Sequence, residues 1–252
     1  MIQVEDVHKT LAGHAVLDGV NFTIEKGTMT CLLGLSGTGK TVLLKNMIGL
    51  MRPNAGRVLI DGTDIHQVRG KELAKVRDSM GVLFQGGALF DSMTVQENLE
   101  FPLREKTDLA DPEIRRIVRE HLDMVELEGT EKKFPSQLSG GMRKRVALAR
   151  ALILDPGNVF FDEPTTGLDP LIANSILRLI HRLHRKLKFS GVIVTHDAEK
   201  VFQIVQNVAM LYEGKIIACD PPESFMKSTH PAVREYIRQT ASGPLEELAI
   251  GS

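Results

Sequence analysis

The chain has 252 residues, 42% of them hydrophobic and 25% charged, with a formal net charge of −1. That is an ordinary globular composition able to bury a sizeable core, and it offers no basic field that would argue for nucleic-acid binding. Its longest apolar runs, such as GVIV at 191–194, fall far short of the roughly 20 residues a membrane-crossing helix needs.

The start, MIQVEDVHKT, lacks the basic-then-apolar pattern of a signal peptide. Two short strands follow from IQVEDV and AVLDGVNFTI, with Gly13, Gly19 and Gly27 as turn points. TCLLG at 30–34 reads as a buried strand, in which Cys31 is a small buried hydrophobe. The only other cysteine, Cys219, is far away, so there is no metal-ligand spacing and a reduced compartment fits. TVLLKNMIGL places Val42, Leu43, Met47, Ile48 and Leu50 at helical spacing. Pro53, Asn54 and Gly56 make a turn before the strand RVLIDG, and a further buried strand, MGVLFQ, ends at Gln85.

Residues 86–154 predict a helical block inserted between strands of an α/β core. Thr94 with Glu97 is a capping-box signature. Asp111-Pro112-Glu113 reads as an N-cap, a first-turn proline and a first-turn acid, ahead of an apolar face of Ile114, Ile117, Val118, Leu122 and Val125. A third helix covers MRKRVALARALIL. The core resumes with NVFFDE and a helix opened by Asp169-Pro170, whose buried side is Ile172, Ile176, Leu179, Ile180, Leu183 and Leu187. The basic run HRLHRKLK at 181–188 reads as a solvated face of that helix. GVIVT is a strand, a short helix follows His196-Asp197, and NVAMLYEGKIIACD is a hairpin turning at Glu213-Gly214. From about residue 226 the chain turns polar, with a short helix from Ala232 to Gln239 and a loose end, ASGPLEELAIGS.

Three motifs carry chemistry. Gly34-Leu35-Ser36-Gly37-Thr38-Gly39-Lys40-Thr41 lies between a predicted strand and a predicted helix, the context a phosphate loop requires. Its glycines let backbone N–H groups face a β-phosphate, and the helix N-terminus adds favourable dipole charge. Lys40 is expected to bridge β- and γ-phosphates, and Thr41 to place its hydroxyl on Mg²⁺. VFFDE at 159–163 is an apolar strand ending in two acids. At the C-terminal end of a parallel strand, Asp162 can hold Mg²⁺ and Glu163 can polarise an attacking water as general base. The plain alternative is a solvated pair or an N-cap. Leu138-Ser139-Gly140-Gly141-Met142 offers a second anion site at a helix start, through Ser139, Gly140 and Gly141. Helix capping alone would also explain it. If both glycine sites serve one phosphate, a head-to-tail pair of chains brings them together more readily than a single chain. Gln85 can contact Mg²⁺ and the attacking water, and His196 can hold the γ-phosphate, although either could be merely structural. Asp169 is an N-cap that can also reach across such a dimer.

Together GLSGTGKT, Gln85, LSGGM, VFFDE, GLD and the His196 strand end resemble the ABC-type ATPase subunits, in that family's order, over roughly residues 1–225. The resemblance implies a P-loop, RecA-like α/β core with an antiparallel β subdomain, an inserted helical subdomain (about 86–154) and a C-terminal extension at 226–252. It also implies ATP and Mg²⁺ as cofactors and a homodimer with ATP between the copies. FQGGALFDSMTVQENLEFPLRE (84–105), Val42, Met142 and the tail Gly243-Pro244 are similar to the Mla-type branch. That branch implies phospholipid transport between inner and outer membranes, driven from the cytoplasmic face of the inner membrane. Its partners are an integral membrane permease of the MlaE kind, a periplasmic MCE protein and a small STAS-domain subunit. The groove beside Gln85 and 86–90 is expected to pass motion to a permease helix. Two departures stand out: Leu11, with His14 nearby, occupies the place where many ABC ATPases stack an aromatic ring on adenine, and Met142 replaces the commoner Gln. An importer ATPase for a polar solute such as an amino acid is the alternative within transport. A soluble ABC module acting on nucleic acid is the alternative outside it, disfavoured by the single ATPase unit and the near-zero charge.

Overall fold

A computed structural model describes residues 1–196 and 198–240. Asp197 and the tail bearing Gly243-Pro244 therefore lie outside the described residues. In chain order the elements are β1 (Ile2–Leu11), β2 (His14–Ile24), β3 (Met29–Leu33), α1 (Lys40–Met47), β4 (Ala55–Ile60), β5 (Thr63–Asp64) and α2 (Gly70–Asp78). Next come β6 (Met80–Leu83), α3 (Val95–Lys106), α4 (Asp111–Met124), α5 (Gly140–Leu152), β7 (Asn158–Asp162) and α6 (Pro170–Leu187). The last described elements are β8 (Ser190–Val194), α7 (Ala198–Val201), β9 (Asn207–Tyr212), β10 (Lys215–Asp220), α8 (Pro222–Met226) and α9 (Pro231–Thr240). The contacts divide the chain into two compact units, one of Met1–Val76 with the chain from Ser190 onward, the other of Arg77–Phe189.

In the first unit, β2, β1, β4 and β5 form an antiparallel sheet. Alternation in β1 and β2 explains it: Ile2, Val4, Val7, Val20, Phe22 and Ile24 are buried while their neighbours face outward. A second group runs parallel, β9 beside β3 beside β8, with β10 antiparallel to β9. β3 and β8 are buried at every position, as strands covered on both faces must be. Cys31 is fully buried among them. The β9–β10 hairpin turns at Glu213 (φ 46°) and Gly214 (φ 76°), two successive left-handed residues of the kind a tight two-residue hairpin demands. Between β10 and residue 240 the chain is anchored: Phe225, Val233 and Tyr236 are all buried.

In the second unit β6 and β7 pair in parallel, Leu83 opposite Phe161. Gly81 admits no side chain, since a Cβ there would sit 2.2 Å from the carbonyl oxygen of Ala151 in α5. α6 buries Ile176, Leu177, Leu179, Ile180 and Leu183 along one stripe. Each such side chain contributes roughly 1.5–3 kcal/mol on burial.

Several expectations need correcting. β6 ends at Leu83, so Gln85 lies two residues past it, in a turn closed by Gly87 N–H to the Phe84 carbonyl (2.8 Å). α1 stops at Met47, and Leu50 is 60% exposed rather than on the buried face. Ala110, not Asp111, is the N-cap of α4, because the Asp111 carboxylate is engaged by Arg104 at 2.7 Å. Ile172 and Leu187 are only half-buried. The run 181–188 is not uniformly solvated: His184 is buried, edge-on to Phe189 with ring centroids 5.2 Å apart.

Candidate functional site

The phosphate loop of the first unit is built from β3 and the start of α1. Gly34 is dictated by packing, since a Cβ there would come 2.6 Å from the Leu211 carbonyl oxygen and 2.7 Å from Thr38 Oγ1. Gly37 (φ 80°) and Gly39 (φ 101°) supply left-handed turns, and Gly39 is the N-cap of α1. The Thr38 hydroxyl donates to the Leu35 carbonyl (2.8 Å) and braces the loop. Lys40 is buried, its Nζ donating to the carbonyls of Gly34 (2.7 Å) and Leu35 (2.9 Å). The cation is thus stretched across its own loop. Leu35, Ser36, Gly37 and Thr41 are exposed, as groups that meet a soluble ligand must be.

β8 runs beside β3, and the Thr195 N–H reaches the Leu32 carbonyl (3.3 Å), so His196 emerges at the same strand ends that feed the loop. Open α/β sheets bind ligands at the C-terminal ends of their parallel strands. His196 is exposed, and its carbonyl accepts a hydrogen bond from the Tyr236 hydroxyl of α9 (3.2 Å). At the other side of the loop, Val16 of β2 lies where a Gly39 side chain would go, 2.8 Å away. Leu11 and His14 pair at the tip of that same β1–β2 hairpin.

The second unit gathers the remaining groups. Asp162 ends β7 and is half-buried. Glu163 follows with φ 47°, a left-handed conformation uncommon for a residue with a Cβ. Its carboxylate accepts the Thr166 hydroxyl at 3.0 Å, which fixes its orientation. Ser139 caps α5 by accepting the Met142 N–H (3.3 Å), so capping is realised, and the hydroxyl proton remains a donor. A Cβ on Gly141 would stand 2.6 Å from Ile172 Cγ2, and one on Gly140 3.4 Å from Leu168. The LSGGM turn therefore packs against the start of α6, where Asp169 accepts the N–H groups of Leu171 (3.1 Å) and Ile172 (3.0 Å).

Sequence alone assigns no role to Lys144, one turn into α5 within the basic run Arg143-Lys144-Arg145. It is buried, and its ammonium donates to the main-chain carbonyl of Gln85. Burial pulls its pKa below the usual lysine value, while the nearby carboxylates of Asp162 and Glu163 favour its charge. Two turns on, Arg150 donates to the carbonyl of Ala88 (2.7 Å) and lies over the Phe90 ring. Asn98 clasps the same loop through the Phe90 N–H (2.8 Å) and the carbonyls of Phe90 and Met93. The signal available in sequence was a pair of cations interrupting the apolar face of KRVALARAL.

The donors expected for Mg²⁺ are the Thr41 hydroxyl, the Asp162 carboxylate and the Gln85 amide oxygen. All are hard oxygen ligands of the type that ion takes, and the exposed Thr41 and half-buried Asp162 remain accessible to it. Among the described residues no helix is long and apolar enough to cross a membrane.

The family described as "ABC transporter" matches residues 17–166. The intermembrane phospholipid transport system ATP-binding protein MlaF of Haemophilus influenzae is 40% identical over 97% of this chain and 93% of its own length. A probable ribonucleotide transport ATP-binding protein, mkl, of Mycobacterium leprae is 43% identical over 97% of this chain and 70% of its own. Among solved structures, cbiO1 of Clostridium perfringens, part of the ABC transporter complex cbiONQ, is 31% identical with a TM-score of 0.83, covering 99% of this chain and 98% of that one. A dimeric ATP-binding cassette in a post-hydrolysis state, bound to ADP and Pi, is 31% identical with a TM-score of 0.80, covering 88% of this chain and 99% of that one. A phosphate loop, an acidic strand end and a serine-capped glycine turn, together with these matches, make the chain a member of the ABC transporter ATP-binding family, an ATPase.

Proposed function

We propose that this chain is the ATP-hydrolysing subunit of a transporter that moves phospholipid between two membranes. The observation that carries the cargo is the nearly end-to-end match to MlaF, which extends over 93% of that protein. The mkl protein, whose name points to ribonucleotides, matches over only 70% of its length and so contains a substantial part with no counterpart here.

In this reading two copies of the chain hold ATP between them. Lys40 and the loop N–H groups hold the phosphates, and Glu163 draws the proton from the attacking water, its carboxylate aimed by Thr166. His196 and Gln85 orient that water and the γ-phosphate. From the other copy, Ser139, Gly140 and Gly141 cover the γ-phosphate and Asp169 braces the contact. Thr41, Asp162 and Gln85 would hold Mg²⁺, which would supply charge neutralisation to the phosphates. The exposed rings of Phe90 and Phe101, with centroids 5.3 Å apart, give a membrane permease of the MlaE kind an apolar foothold beside Gln85. A periplasmic MCE protein and a small STAS-domain subunit complete the assembly, in which this chain docks at the cytoplasmic face of the inner membrane.

The test is transfer of fluorescent phospholipid between vesicles by the chain reconstituted with its permease and MCE partner. ATP-dependent transfer is expected, abolished by Glu163→Gln. ATPase stimulation by ribonucleotides or amino acids with no lipid movement would replace this reading with a polar-solute importer.

A further inference from the structure

Ser139 and Lys144 lie on one short helix but face different tasks. In the dimer proposed above, on which this inference rests, Ser139 and Gly141 of one copy serve the nucleotide held by the other. Gln85, Asp162 and Glu163 serve the nucleotide held by their own copy. Something inside each chain must carry information between these two assignments if the sites are to fire in concert. We infer that Lys144 is that link: a positioning residue that registers the LSGGM turn against Gln85 and the acid pair.

The geometry makes α5 a rigid lever. Ser139 caps its first turn, and Lys144 follows Gly140 at a spacing of four, on the same side of the helix. Lys144 is 7% exposed, and its ammonium donates to the Gln85 carbonyl. The carboxylates of Asp162 and Glu163 lie within reach of its charge. The ammonium is held by a hydrogen bond to the Gln85 carbonyl, and the negative charge of the two carboxylates favours its charged form there. The grip continues along the helix at intervals of three residues. Ala147 sits 3.4 Å from where a Gly87 side chain would begin, and Arg150 holds the carbonyls of Ala88 (2.7 Å) and Gly87 (3.3 Å). Behind them, Gly81 rests on the Ala151 carbonyl. The segment from Gly81 to Phe90 therefore lies fastened along α5. A displacement of the LSGGM end, made when it meets a phosphate, is delivered to the Gln85 main chain through Lys144. Lys144 touches neither phosphate nor water in this scheme, and ATP binding by the Lys40 loop does not depend on it.

The experiment is a double-mutant cycle read in steady-state ATP hydrolysis by the full chain. Lys144→Met should lower kcat about tenfold, the scale on which misplaced catalytic groups act, with KM for ATP within about twofold. Lys144→Arg, which keeps charge and donors, should restore at least about half of the rate. Ser139→Ala should lower kcat in the parent but add little on the Lys144→Met background, because both act through one link. A Lys144→Met enzyme within about twofold of the parent, or losses from the two substitutions that simply multiply, would overturn the inference. Should Lys144→Met fail to fold, Lys144→Gln, which keeps a donor and loses the charge, replaces it with the same expectations. The shared-nucleotide reading is checked apart from this: Glu163→Gln with ATP must run as a dimer on size exclusion, and so must Glu163→Gln with Lys144→Met. A monomeric Glu163→Gln chain sinks that reading whatever Lys144 does, whereas loss of the dimer only on adding Lys144→Met makes Lys144 an assembly residue instead.

Discussion

Glu163 combines a backbone its side chain disfavours with a carboxylate proposed as the general base. Its φ of 47° places it in the left-handed region directly after a buried strand. For a residue with a Cβ that conformation costs on the order of 1–2 kcal/mol, and strain of this kind gathers where function fixes geometry. Thr166 answers it from both sides: its hydroxyl donates to the Glu163 carboxylate at 3.0 Å, and its N–H to the Glu163 carbonyl at 3.3 Å. Fold and activity therefore pull in opposite directions at this residue. Glycine has no Cβ penalty there but leaves more entropy in the unfolded chain, so Glu163→Gly should stabilise the protein by up to about 1 kcal/mol. Hydrolysis should vanish in the same variant. Urea unfolding alongside an ATPase assay measures both, and a Glu163→Gly chain less stable than the parent would show that the Thr166 contact outweighs the strain. Lys40 has no such conflict, because its buried ammonium is satisfied by two carbonyls of its own loop.

Helix starts give the clearest cases of what short sequence windows encode. Asp169 and Pro170 announce α6 because the cap is a local bargain: one carboxylate, two N–H groups within three residues, and a proline whose missing donor costs nothing there. Asp169→Ala should lower stability by about 1 kcal/mol, and Asp169→Ser should recover most of it because serine also caps. If the carboxylate additionally reaches across the dimer, both variants weaken ATP-dependent dimerisation, which size exclusion of Glu163→Gln carrying either change would reveal. Weak dimerisation in the Ala variant alone would leave Asp169 as a cap and no more. Thr94 and Glu97, and Glu213-Gly214, were legible for the same reason of local chemistry. What escaped depended on distant partners. Gln85 and Lys144 are separated by 59 residues, and Arg150 and Ala88 by 62, so no window displays them together. Asp111 looked like a cap until Arg104, on the preceding helix, claimed its carboxylate. α2 buries only Val76 and α8 only Phe225, leaving neither a stripe to detect. His184 looked solvated because its neighbours in sequence are basic, yet its neighbour in space is Phe189.

At the scale of the whole molecule, the expected ATP chemistry is divided between two compact units of one chain. The loop with Lys40 and the end of β8 at His196 belong to the first unit, while Gln85, the acids and the LSGGM turn belong to the second. ATP bound at the Lys40 loop should act as a ligand of the folded chain and raise its stability by mass action. At a free ATP concentration 100 times Kd, the gain is about 2.7 kcal/mol for one site. For a chain of this size that corresponds to a rise in Tm of roughly 5–11 °C. Dimerisation adds a second signature, because a folded state held together by a partner melts at a temperature that depends on protein concentration. Glu163→Gln prevents hydrolysis from consuming the bridge, so its Tm in ATP should climb as the chain is concentrated. Without ATP the same variant should melt at one temperature across that range. Lys40→Ala should show neither the ATP shift nor the concentration dependence, its loop having lost the cation proposed to meet the phosphates. Differential scanning calorimetry over about a hundredfold range of protein concentration separates the cases. An ATP shift that is large but independent of concentration would mean that each chain binds its nucleotide alone, and the LSGGM turn would then be a helix cap without a partner's phosphate to meet.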